Sequence, residues 1–164
     1  MSNILNLPKR VGAKPDTSHG IPHSQLNQHG PDETIDQLRD WAFGLPDIEN
    51  HHSQISVPGA RAMVLCDGTS CNAEAFMIGR EFAHIHPYPD NGSMHLKLEH
   101  DDALAVIESG FGEHHTLVLS GHRPVGLVMV FSPRDAQEQE IVKTIITRSY
   151  DYATGKDIAA HSPN

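Results

Sequence analysis

The chain has 164 residues, a hydrophobic content of 38% and a formal net charge of −9 at pH 7, which fits one domain with a buried core. The negative charge argues against nucleic acid or an anionic membrane as the main partner, because both repel an acidic protein. Two cysteines cannot form a disulfide scaffold, and neither a secretory leader nor a long apolar run is present, so we expect a soluble, cytoplasmic protein.

The first thirty residues predict an extended arm, because their prolines and glycines interrupt any helical or strand periodicity. Apolar side chains are scattered through it, and four of them are Leu5, Leu7, Ile21 and Leu26. We expect residues 1–30 to lack regular structure, to place these four side chains in apolar grooves, and to drape over the domain or pair with another subunit in a homodimer. Removal of the arm should leave the domain at residues 31–155 folded, and residues 156–164 should form a polar tail.

The rest of the chain predicts one leading helix followed by elements in the order β-β-β-β-α-β-α. Helices are expected from Pro31 to Leu45, from Asp101 to Gly110 with an inner face of Leu104, Ile107 and Phe111, and from a Ser132 cap to Gly155. Strands are expected at residues 54–57, 60–66, 93–98 and 127–131, and at 73–86 either as one strand or as two bent at Gly79. A loop is expected at 47–53, and a loop or short strand at 114–123. This order indicates an α+β domain with a mainly antiparallel sheet and two or three helices packed on one face.

The segment from Gly79 to His95 contains three histidines, and strand geometry predicts that they meet. Alternate side chains of a strand share a face, so His84 and His86 point the same way. Residues 87–92 carry the prolines, asparagine and glycine of a turn. Apolar residues alternate along the following strand and put His95 on its opposite face. A hairpin would therefore bring His95 beside His84 and His86.

Three interpretations of this histidine cluster stay open. A facial triad of His84, His86 and His95 suits a transition metal, with Asp90 or Glu81 as a carboxylate ligand. Alternatively, a neutral imidazole without metal accepts a proton from an acidic enol. In the third interpretation, the imidazoles are buried and hydrogen-bonded and only stiffen the sheet.

The metal-free interpretation predicts roles for neighbouring side chains. Arg80 would hold the substrate anion, Phe82 and Tyr88 would stack on a planar substrate, and Glu81 and Asp90 would complete the substrate contacts. The candidate proton acceptors are His84, His86, His95 and His115.

Several blocks of the sequence resemble the signature of the fungal luciferases and their bacterial relatives. The similar segments are residues 80–86 with Asp90, 94–96, 110–115, 130–134 and 152–154. The resemblance implies direct oxidation of an electron-rich enol, such as a 3-hydroxy-2-pyrone, by molecular oxygen without nucleotide or flavin. The positions matching that signature are Arg80, Glu81, His84, His86, Asp90, His95 and His115.

Two classes of function therefore remain. One is a small oxygenase, cofactor-independent or dependent on a transition metal, that acts on a planar enol or phenolic molecule. The other is a small-molecule- or metal-binding module without turnover.

Overall fold

Six short strands form the centre of the protein in a computed structural model that describes residues 3–156. The strands are β1 (Ile48–His52), β2 (Arg61–Leu65), β3 (Glu81–Ile85), β4 (Met94–Lys97), β5 (Gly112–His114) and β6 (Leu127–Val130). The helices are α1 (Asp32–Phe43), α2 (His100–Ser109), α3 (Thr116–Leu119) and α4 (Ala136–Thr154). The strands pair antiparallel throughout, in the order β1-β2-β3-β4-β6-β5. Of the predicted polar tail, residues 157–164 lie outside the described residues.

The hydrophobic core lies between one face of the sheet and the three longer helices. Leu38 of α1, Val106 of α2 and Ile145 of α4 pack with Ala83 of β3 and Leu96 of β4, and all five are buried. Helix α4 crosses β3 and β4 and also contacts α1. This arrangement confirms the predicted α+β class. It leaves the opposite face of β3 and β4 free of long helices, and the histidines lie on that face.

The predicted inner face of α2 is confirmed at Phe111, which is buried in the core, but it is wrong at Leu104. Leu104 is 40% exposed, whereas Asp102, Ala103 and Val106 are buried. The carboxylate of Asp102 accepts a hydrogen bond from the backbone N–H of Leu5 at 2.7 Å, because the N-terminal arm crosses this end of the helix. The buried face of α2 therefore includes a polar side chain that contacts the arm, and the apolar spacing does not reveal it.

The first strand was also misplaced. Residues 47–53 were predicted as a loop, but β1 occupies residues 48–52 and pairs with β2 from Ile48 opposite Leu65 to His52 opposite Arg61. It is an edge strand whose side chains are almost all exposed, so it carries no apolar alternation. Residues 54–57, predicted as a strand, form bends that lead into the turn at Pro58.

Three further boundaries differ from the prediction. Residues 73–86 begin with a single 3-10 turn at Ala73–Ala75 and become a strand only at β3, and residues 114–123 contain α3. The cap of α4 is Asp135, whose carboxylate accepts the N–H of Glu138 at 2.8 Å. Ser132 instead donates its backbone N–H to the side chain of Gln25 in the arm.

The arm packs along the domain with no helix or strand between residues 3 and 31 apart from one bridge between Thr17 and Gln25. Leu5 is buried and Leu7 packs against the core, as predicted. The prediction for Leu26 is wrong, because it is 60% exposed, whereas Ile21 is 66% exposed but borders an apolar cavity. The buried side chains of the segment from Thr17 to Gln25 are instead the polar His23 and Gln25.

Candidate functional site

A cavity of about 540 Å³ opens on the sheet face opposite the long helices. Most of its wall is apolar and comes from the arm, the bends after β1, the segment before β3 and the region around α3. The apolar lining residues are Ile21, Pro22, Ile55, Val57, Pro58, Phe76, Met77, Leu117 and Leu127. Five imidazoles also line it: His23, His84, His86, His95 and His115. All five histidines are buried.

The β3–β4 hairpin brings three of these histidines together, as the alternation predicted. His84 lies directly opposite His95 in the antiparallel pairing. The ring centroid of His95 is 5.1 Å from that of His84 and 4.6 Å from that of His86. Both strands direct their histidines to the face that the core does not use, so the predicted convergence is confirmed.

An irregularity in the pairing of β2 with β3 exchanges the faces of Glu81 and Phe82. Met63 pairs with Ala83 and Val64 with Glu81, so β3 carries one extra residue at this point. Phe82 consequently packs in the core with no exposure and does not line the cavity, contrary to its predicted stacking role. Glu81 turns to the histidine side, and its Oε1 lies 2.9 Å from Nδ1 of His84 although only three residues separate them.

The tautomers of His84 and His95 follow from the charge of Glu81. Burial alone would raise the pKa of Glu81, but hydrogen bonds from His84, Ser53 and Gln54 lower it below its usual value, so the carboxylate is ionised at neutral pH. An ionised carboxylate only accepts, hence Nδ1 of His84 carries the proton and Nε2 offers a lone pair. Nε2 of His84 lies 3.0 Å from Nδ1 of His95, which must therefore be the donor.

His95 consequently keeps a lone pair on Nε2. Its complete burial, followed by its neighbouring imidazoles, holds the pKa of His95 well below the usual histidine value, so the ring is neutral. Nε2 of His95 is buried and has no hydrogen-bond partner among the described residues. A buried polar atom without a partner is rare in native proteins and indicates a place for a ligand.

His86 has its own carboxylate partner. Its Nδ1 lies 3.0 Å from Oδ2 of Asp90 and 2.9 Å from the hydroxyl of Ser93, which itself donates to Asp90 at 2.8 Å. Burial would raise the pKa of Asp90, but hydrogen bonds from His86, His29 and Ser93 lower it. Asp90 also accepts the backbone N–H of Gln25 at 3.0 Å. Asp90 therefore orients His86 and fastens the arm, and it does not line the cavity.

His23 enters the site from the arm and was not predicted. Its Nε2 lies 2.7 Å from Oε1 of Glu113, and its ring stacks on His95 with centroids 5.3 Å apart. Burial would raise the pKa of Glu113, but His23 and Lys14 lower it to about 2. No periodicity marks residues 17–25, so no signal in the sequence could have identified His23.

His115 lines the cavity as expected and caps α3. Its Nδ1 accepts the backbone N–H of Leu117 at 3.0 Å. Burial, followed by the neighbouring His23, lowers the pKa of His115 to about 4, so the ring is neutral. With Nδ1 acting as an acceptor, the single ring proton resides on Nε2, which makes His115 a hydrogen-bond donor.

Two predicted substrate contacts lie elsewhere. The guanidinium of Arg80 donates to the backbone carbonyls of Leu65, Cys66 and Thr69 at 2.8–3.0 Å, and it does not line the cavity. Its role as anion holder is therefore not supported, because its donors are used to fix the loop after β2. Tyr88 is 81% exposed at the hairpin turn and borders a different groove.

The cations that do line the cavity are Lys97 and Arg123. Lys97 follows His95 by two residues on β4, so strand alternation puts both on the same face. The same rule that grouped the histidines could have identified Lys97. Arg123 lies in the turn after α3 and has no periodic signal.

Comparison with known proteins supports a family assignment. The sequence model of the family described as Luciferase domain matches residues 79–149. A luciferase from Armillaria mellea is 28% identical over 95% of this chain and 66% of its own length, and one from Armillaria gallica is 27% identical over 92% and 62%. A luciferase from Neonothopanus nambi is 34% identical over 46% of this chain and 28% of its own length.

This chain therefore spans less than two thirds of the length of those curated relatives. No solved structure matches it. Among the described residues, no helix is long and apolar enough to cross a membrane. The family match includes β3, β4 and the histidines at 84, 86, 95 and 115, and the alignment with the Armillaria proteins runs over nearly the whole chain. Residues 79–149 of the chain thus resemble the luciferase-domain family.

Proposed function

We propose that the protein binds a planar, hydroxylated small molecule in the histidine cavity and oxidises it with molecular oxygen. The observation that carries this proposal is the partnerless lone pair on Nε2 of His95, buried among the cavity histidines. A hydroxyl proton of an enol or phenol is the complementary group. The relatives named luciferase support an oxygen-dependent reaction but leave the substrate of this chain open.

The chain from Glu81 through His84 to His95 suits proton acceptance. A substrate O–H would transfer its proton to Nε2 of His95, while Nδ1–H of His95 keeps its hydrogen bond to His84. Glu81 accepts from the far side of His84 and so stabilises positive charge along the two rings. This stabilisation of the protonated rings offsets the lowering of the His95 pKa by burial.

The resulting enolate can react with oxygen without an added reductant. Its nucleophilic carbon forms a C–O bond to O₂, and both electrons of that bond come from the enolate, so the product is a peroxide anion. The apolar wall, including Phe76 and Leu127, limits the access of water to this intermediate. The step therefore needs only the substrate, molecular oxygen and the residues of the cavity.

An oxygen electrode with a panel of 3-hydroxypyrones and catechols tests the proposal. We expect oxygen uptake with at least one member. Calorimetric titration of the same compounds under nitrogen separates binding from turnover. Binding without any uptake would favour the module that binds small molecules but has no catalytic activity.

A metal centre is a second candidate function. It is favoured by the positions of three ring nitrogens, one each from His84, His86 and His95, which all lie within 4.8 Å of one another. Nδ1 of His84 and Nδ1 of His86 face Glu81 and Asp90, which is the usual outer-shell arrangement of histidine ligands. These residues therefore fit a divalent transition metal, with the two carboxylates outside the coordination shell. The metal would polarise a bound hydroxyl or oxygen.

The other histidine group within this distance, formed by His23, His95 and His115, fits a metal less well. The hydrogen bond from the Leu117 N–H to Nδ1 of His115 leaves the ring proton on Nε2, the nitrogen that would have to bind. Elemental analysis of purified protein decides between the candidates. Near-stoichiometric metal that is lost in the double variant His84→Ala/His86→Ala would establish the metal centre.

A further inference from the structure

Lys97 and Arg123 line the cavity, and neither has a carboxylate partner among the described residues, as is also true of Lys9, Arg10 and Arg61. Other cations do have such a partner. Arg134 pairs with Glu138 at 2.7 Å, and Lys143 pairs with Glu140 at 3.0 Å. Within residues 3–156, no carboxylate lies within 4.0 Å of the charged nitrogens of Lys97 or Arg123. Because no carboxylate contacts them, these two cations leave positive charge facing the cavity.

The surroundings of Lys97 disfavour its charged form when no ligand is bound. Lys97 is half-buried, and burial lowers its pKa, followed by the positive charge of Arg123. Glu74 raises the pKa of Lys97 through its charge but forms no ion pair with it. Arg123 is exposed, so solvent partly screens its repulsion of Lys97, and an anion bound between the two removes the repulsion that remains.

The cavity therefore presents two different kinds of polar group. His84 and His95 carry ring lone pairs that accept protons, whereas Lys97 and Arg123 carry positive charge, and the wall between these groups is largely apolar. His115 adds a neutral N–H donor, and the charge of Arg123 acts on it. A ligand complementary to this pattern has a flat apolar body and a negatively charged oxygen.

We propose that Lys97 and Arg123 form an anion-binding site that selects a flat, apolar ligand bearing a carboxylate or an ionised hydroxyl group. The inference uses the cavity of the proposed function but none of its oxygen chemistry. It replaces Arg80 with Lys97 and Arg123 as the groups that hold an anion. A ligand of the same shape that can form no negative charge should bind poorly, because its binding would leave the two cations unpaired.

Matched probes under nitrogen test this proposal. The acids are benzoate, 2-naphthoate and ionised 4-nitrophenol, and the neutral partners are benzamide, 2-naphthamide and nitrobenzene. Isothermal titration at low ionic strength should show at least one anion binding about tenfold or more tightly than its neutral partner. Comparison of the two carboxylates with the phenolate distinguishes the two sources of negative charge.

Variants test whether Lys97 and Arg123 cause the preference for anionic probes. Lys97→Met keeps the apolar stem and, combined with Arg123→Gln, should make the affinities for anion and neutral probe equal. Arg123→Lys keeps the charge and should retain the preference. Lys143→Gln removes a cation on α4 outside the cavity and should change nothing. Circular dichroism confirms that each variant is folded.

Each contrary result has a defined meaning. Equal affinity for anionic and neutral probes, no binding of any anion by the wild-type protein, or an unchanged preference in the double variant would overturn the anion-binding proposal. Anion binding without oxygen uptake would overturn only the proposed oxidation. Oxygen uptake without anion preference would overturn only the anion-binding site.

Discussion

His84 and His95 lie directly opposite each other on β3 and β4, with Nε2 of His84 3.0 Å from Nδ1 of His95. This hydrogen bond uses one nitrogen of His95 and leaves the other buried without a partner. An unsatisfied buried polar group costs about 1–3 kcal/mol. A purely structural role would favour a fully satisfied ring, so the pair is better explained by a ligand that completes it.

The arm should contribute unequally to stability along its length. Leu5 is 6% exposed and packs in the core, so Leu5→Ala should lower the free energy of unfolding by about 2–5 kcal/mol. Leu26 is 60% exposed, and Leu26→Ala should stay within about 0.5 kcal/mol of the wild type. Urea unfolding of both variants measures the difference, and equal effects would mean that the arm does not pack as described.

Truncation tests the boundary predicted at residue 30. A chain that begins at Pro31 should still show a cooperative transition but melt at a lower temperature, because it lacks Leu5 and the contacts of Gln25 with Asp90 and Ser132. It should also bind cavity ligands more weakly, since His23 belongs to the arm. A truncated chain without any cooperative unfolding would show that the arm is part of the core.

The histidine cluster should make stability depend on pH in a defined window. Burial lowers the pKa of His84, His95 and His115, the last to about 4, whereas imidazoles in an unfolded chain titrate near about 6.5. Between about pH 6.5 and 4.5 the unfolded chain therefore binds protons that the folded protein does not. The free energy of unfolding should fall as the pH falls through this range.

Thermal melts of chelator-treated protein across this range measure the effect. The lowered pKa values of Glu81 and Asp90 add their own loss of stability only at lower pH, near and below their unfolded values of about 4. His115→Asn should flatten the dependence, whereas His122→Asn, which changes an exposed histidine outside the cavity, should not. A melting temperature that is constant over the range would contradict neutral histidines in the folded protein.

Arg80 should affect stability more than ligand recognition. Arg80→Ala removes hydrogen bonds to three backbone carbonyls and should lower the free energy of unfolding by about 1–3 kcal/mol. The preference of the cavity for anionic probes should remain, because Arg80 does not line it. Loss of that preference in a folded Arg80→Ala protein would restore the sequence-based role of anion holder.

Strand alternation predicted the central hairpin because it is a local, period-2 signal that the apolar residues of the core reinforce. It placed His84, His86 and His95 together correctly. It failed at Phe82, where one extra residue in β3 reverses the faces and sends Glu81 to the histidines. Such a bulge depends on the partner strand and leaves no local pattern in the sequence.

Long-range contacts explain what the sequence could not show. His23 reaches the cavity because Gln25 is held by Asp90 and Ser132, and each of these contacts spans more than sixty residues. The edge strand β1 is recognisable only by its pairing with β2, since its own side chains are mostly exposed. Irregular and exposed segments gain their structure from tertiary partners, so periodicity carries no information about them.

Oxygen uptake by His95→Gln tests the central claim most directly, because the claim assigns the substrate proton to Nε2 of His95. Uptake is measured with the best substrate of the hydroxypyrone and catechol panel, beside wild type and His122→Gln as the matched histidine control. The account predicts a rate at least about a hundredfold lower in His95→Gln, with His122→Gln unchanged. An undiminished rate in a folded His95→Gln protein would contradict it.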